Sequence, residues 1–114
     1  MQRIILDTPE DLEKINVLLQ QYKGYPVVLW VYIVSLSQLE LRIKRGAAGN
    51  FHLQFTGVMS IMMPKLYWKL DGFVEYKKSG SIWDYHYKFI DESSSISIVS
   101  GPVRLTENVD PLFS

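Results

Sequence analysis

Strand-length segments whose apolar residues recur at every second position constrain this chain more than any other feature. In Phe51-His52-Leu53-Gln54-Phe55-Thr56 the odd positions are apolar and the even ones polar. In Trp83-Asp84-Tyr85-His86-Tyr87-Lys88-Phe89 the alternation continues, with aromatics on one side. Successive side chains of a strand point to opposite faces, so both segments predict half-buried, antiparallel strands.

One helix precedes them. Thr8 can cap it, Pro9 suits its first position, and Glu10, Asp11 and Glu13 supply carboxylates to its first turns. Leu12, Ile15, Leu18, Leu19 and Tyr22 recur at three- and four-residue steps. Gly24 and Pro26 end the pattern, so the helix is placed at residues 9–22. Ile4 to Leu6 reads as a short first strand. The run Val27 to Val34 is apolar on both sides and reads as a strand covered on both faces. Leu39, Leu41 and Ile43 then alternate with Gln38, Glu40, Arg42 and Lys44, and 51–56 returns as the hairpin partner. Gly57 predicts a bend. Residues 66–77 read as one strand, 82–90 as its partner across a turn, and 95–100 as a last strand before Gly101-Pro102. Residues 106–114 lack periodicity and read as a mobile tail.

One helix followed by antiparallel strands on short connections predicts an α+β domain over residues 1–114. The helix would pack on a curved, meandering sheet of five to six strands, or plug a small β-barrel. With 47% hydrophobic and 21% charged residues the chain belongs among globular domains, not disordered ones. The absence of cysteine excludes disulfides, thiolate metal sites and cysteine nucleophiles. No apolar run approaches the roughly 20 residues of a membrane-spanning helix, and the N-terminal run is too short for a signal peptide. These features predict a cytoplasmic protein without a membrane association. Twelve basic and twelve acidic residues cancel, which argues against a nucleic-acid partner, and the one basic cluster is Arg42-Ile43-Lys44-Arg45.

Catalytic signatures are missing: no Gly-x-Ser-x-Gly elbow, no phosphate loop, no His-Glu-x-x-His. No cofactor is expected, and the sequence leans against an enzyme. The segment Val58 to Trp68 stands out, because three of the four methionines lie in it beside a Pro and after the strand-breaking Gly57. Flexible thioethers line many partner surfaces. The leading expectation is a non-enzymatic binding or interaction module, self-associating as a dimer or holding a protein partner. Met59, Ile61, Met62 and Met63 would be buried in the partner, with Lys65 and Tyr67 at the rim. The alternative is a small-ligand-binding protein or enzyme with a pocket between helix and curved sheet. His52, Asp84, His86 and Tyr67 would be its polar groups, the first three as a two-His-one-carboxylate metal site or an acid–base set.

Overall fold

A computed structural model describes residues 4–46, 49–78 and 85–108. Its helix is α1 (Leu12–Gln21). The first strands are β1 (Ile5–Asp7), β2 (Pro26–Ile33), β3 (Gln38–Lys44), β4 (Asn50–Thr56) and β5 (Ser60–Met62). The others are β6 (Tyr67–Lys69), β7 (Phe73–Lys78), β8 (Tyr85–Asp91), β9 (Ile96–Ser100) and β10 (Val103–Asn108). The α+β class and the antiparallel strands hold. The strands divide between two open sheets rather than one meander: six in the order β1-β10-β4-β3-β2-β6, and four in the order β5-β9-β8-β7. Neither sheet closes into a barrel.

A bent ribbon makes this division. β4 pairs with β10 in the larger sheet, and the same two stretches of chain pair again as β5 with β9 in the smaller one. The change of sheet falls at Gly57 and Gly101. Gly57 has φ +65°, a left-handed value that favours glycine. The Gly101 N–H reaches the Thr56 carbonyl at 2.8 Å, and a Cβ on Gly101 would come within 3.0 Å of that same oxygen. At this crossing Gly101 is held by close approach of backbone and Gly57 by its left-handed conformation. A similar break splits the strand expected over 66–77 into β6 and β7, one in each sheet, on either side of Gly72. A Cβ there would meet the Phe89 ring at 2.7 Å and the Ile90 carbonyl at 2.8 Å.

The apolar parity of each strand points into the space between the sheets. Leu39, Leu41, Ile43, Phe51, Leu53, Phe55, Val103 and Leu105 from the larger sheet share one buried core with Val74, Phe89, Ile96 and Ile98 from the smaller. Phe55 and Phe89 meet across it with ring centroids 6.0 Å apart. Each such side chain contributes roughly 1.5–3 kcal/mol of burial. Tyr87 joins this core with Phe89, as the one-sided aromatic stripe requires. Trp83 and Asp84 lie outside the described residues.

Ile15 and Leu19 of α1 are buried, and the helix packs against β7 and β1, an edge strand of each sheet. It starts three residues later than its sequence signals suggest. Thr8 does not cap it. The Thr8 hydroxyl instead accepts from the Val103 N–H at 2.9 Å, which ties the chain to β10. Asn16 covers the β7 edge: its amide accepts from the Val74 N–H and donates to the Val74 carbonyl, both at 2.7 Å. Those two bonds reproduce what a neighbouring strand would offer. The expected tail is also corrected, since Thr106 to Asn108 continue β10 as partners of β4. Residues 109–114 lie outside the described residues.

Candidate functional site

Two surfaces carry chemistry. The first begins with β2, whose apolar run is not covered on both faces. Val27 is fully buried, but Trp30, Tyr32 and Ile33 are exposed, as are Val34 and Leu36 in the following 3-10 turn. The cause is the short reach of the next strand. β6 pairs only with Pro26 to Val28, and after the Leu29 N–H bonds the Leu66 carbonyl at 2.9 Å the two chains part. Among the described residues, β2 from Trp30 onward has a strand neighbour on one side alone, β3.

The methionine-rich segment lies beside this open edge. It runs from β5, an edge of the smaller sheet, to β6, an edge of the larger. Its beginning is tied to the β2–β3 turn by a 2.9 Å bond from the Val58 N–H to the Ser37 carbonyl. Met59, Met62, Lys65 and Tyr67 are exposed, as is Leu66 at 62%. Ile61 and Met63 instead turn inward and pack against the core. Among the described residues fourteen large apolar side chains are exposed, and nine of them fall in residues 30–36 and 59–67. Such concentration differs from the singly scattered apolar residues of an ordinary exterior. The β2 half escaped sequence reasoning because an apolar run announces burial without saying whether a neighbouring strand arrives. The Gly-free turn at Val34-Ser35-Leu36, apolar at two of three positions, was the available signal.

The second surface is the outer, polar face of the six-stranded sheet. Val28 opposes Arg42, which opposes His52, and Glu40 opposes Gln54. The Arg42 guanidinium lies 3.4 Å from the Trp30 ring centroid, and the residue is only 2% exposed. A bulge between Leu29 and Val31 inserts Trp30 into the strand, leaving it without a direct partner on β3. Arg42 Nε donates to His52 Nε2 at 3.0 Å. An Arg N–H can only donate, so Nε2 must accept and the imidazole proton sits on Nδ1, against Glu40. Gln54 donates to the other Glu40 oxygen at 3.3 Å. The hydrogen bond from His52 holds the Glu40 carboxyl below the usual range, with help from Gln54 and the Arg42 charge and against the opposing effect of burial. Burial pushes the Arg42 guanidinium down, and Glu40 partly counters it.

This network limits the chemistry of His52. Both ring nitrogens are engaged, so no lone pair is left for a metal ion or for deprotonating a nucleophile. Nor does His86 converge with His52, while Asp84 lies outside the described residues. His52 is in β4 and His86 in β8, on the outward parity of opposite sheets. Among the described residues no three His, Cys, Asp or Glu side chains gather closely enough to hold a metal. The Arg42–Arg45 cluster is likewise dispersed: Arg42 lies under Trp30, Ile43 is in the core, and Arg45 pairs with Glu107 at 2.8 Å. Among the described residues no helix is long and apolar enough to cross a membrane. Compared with protein-family models, curated proteins and solved structures, the chain matches none.

Proposed function

We propose that this chain is a non-enzymatic binding module that docks through the apolar surface of residues 30–36 and 59–67, with a second copy of itself as occupant. The observation that carries this reading is the clustering of nine exposed apolar side chains beside a half-open strand edge. Main-chain groups along an open edge accept another strand, and flanking apolar side chains add the burial that makes such pairing stable. A strand edge is self-complementary about a two-fold axis, which suits a homodimer. Met59, Met62, Leu66 and Tyr67 would enter the interface centre, Lys65 its rim, and Ile61 and Met63 would support them from beneath. The reading includes a cytoplasmic location, supported by the absence of cysteine.

Light scattering on the protein eluting from a sizing column tests it. Wild type elutes as a dimer, and Leu66→Asp, at an exposed position, elutes as a folded monomer. A wild type that stays monomeric as concentration rises would overturn the self-association.

A further inference from the structure

One register row crosses five neighbouring strands on the outer face of the six-stranded sheet. Asp7 of β1 opposes Arg104 of β10, Arg104 opposes Gln54 of β4, Gln54 opposes Glu40 of β3, and Glu40 opposes Val31 of β2. All five line a cavity of about 330 Å³, together with Gln38, Thr56 and Ile33. That volume lies at the small end of ligand pockets, which run from about 300 to 1,000 Å³, and suits a molecule of monosaccharide size.

The charges in the row already have partners. Arg104 Nε donates to Asp7 at 2.6 Å and Nη2 to its second oxygen at 3.3 Å. Glu40 accepts from His52 and Gln54. An anion would have to displace Asp7 from Arg104, and a cation at Glu40 would meet the Arg42 charge that already acts on that carboxylate, so an ionic ligand would gain little from the charges present. Neutral hydrogen-bonding capacity remains. The Gln54 carbonyl oxygen and the Gln38 amide have no hydrogen-bond partner among the described residues, and Glu40 retains unused lone pairs. Val31 and Ile33 supply an apolar flank on the same face.

Donors, acceptors and a C–H-compatible flank at this scale match one chemistry. We infer that the cavity binds a neutral polyhydroxylated small molecule, of the sugar or cyclitol class. Its hydroxyls bond Gln54, Gln38 and Glu40, and its C–H face rests on Val31 and Ile33. The Glu40–His52–Arg42–Trp30 chain holds the Glu40 carboxylate in place before ligand arrives, which reduces the ordering cost of binding.

Amide correlation spectra of the labelled protein test this, titrated separately with glucose, myo-inositol, sodium phosphate and methylammonium chloride. The expected result is that glucose or inositol, at millimolar concentration, shifts the Glu40, Gln54 and Arg104 amides. Gln54→Ala and the exposed Gln38→Ala should each weaken that binding about five- to tenfold, the loss of one or two hydrogen bonds. Neither substitution should change self-association through Leu66. Absence of shifts with both polyols at tens of millimolar would overturn the inference, as would phosphate or methylammonium shifting these amides at lower concentration than either polyol.

Discussion

Glu40 and Asp91 show how single carboxylates hold this molecule together. The folded protein lowers the Glu40 pKa, so its contribution is fully present above the ordinary carboxylate range and is lost as pH falls through the folded-state value. Glu40→Gln should therefore cost about 1–2 kcal/mol near neutrality, the worth of charge-assisted bonds. In urea titrations the gap between variant and wild type should narrow in acid, and a gap independent of pH would count against this role. Asp91 is wholly buried and accepts from Trp68 Nε1, the Asp71 N–H and the Ser93 hydroxyl, each at 2.9 Å. Asp91→Ala should lower unfolding stability by about 2–4 kcal/mol, because it leaves the buried Trp68 indole N–H without an acceptor and opens a gap in the core, and Asp91→Asn should recover part of the loss. Neither role was legible in the sequence. Asp91 stands in a polar stretch that reads as an ordinary turn, and the pairing of Glu40 with His52 depends on strand register. The polar parity of Glu40, Arg42, His52 and Gln54, however, follows directly from their alternation with Leu39, Leu41, Leu53 and Phe55.

At the scale of elements, periodicity located most strands but not the sheet each belongs to. Partition rests on backbone events at three glycines: a left-handed conformation at Gly57, and close approach of neighbouring atoms at Gly72 and Gly101. Gly57 was readable as a bend, but a bend does not reveal that its strand continues in a second sheet. At Gly72 the Phe89 ring and the Ile90 carbonyl leave no room for a side chain. Gly72→Ala should destabilise the protein by about 1–3 kcal/mol, since a backbone carbonyl as well as the ring must move. Its thermal midpoint checks this, and an unchanged midpoint would mean the β6–β7 connection yields freely. The β2 run was misjudged for a related reason. Its residues are as apolar as those of a covered strand, and only the short pairing with β6 leaves them open.

Across the whole molecule, the two sides of the paired sheets are treated differently. On one, α1 packs on β1 and β7, and Asn16 occupies the β7 edge. On the other, β5 and β6 are three-residue strands, and among the described residues the second half of β2 has a strand neighbour on the β3 side alone. Exposed sheet edges are ordinarily blunted with charge, and this one is lined with Trp30, Tyr32, Ile33 and Val34. The proposed docking of a second copy would resolve that conflict. Amide hydrogen exchange at residues 30–33, compared between dilute and concentrated protein, tests this most directly. For the amides of this stretch that point away from β3, the account predicts fast exchange when dilute and protection when concentrated, with the protection abolished by Leu66→Asp. Exchange at 30–33 that is the same at both concentrations, and the same in the variant, would contradict it.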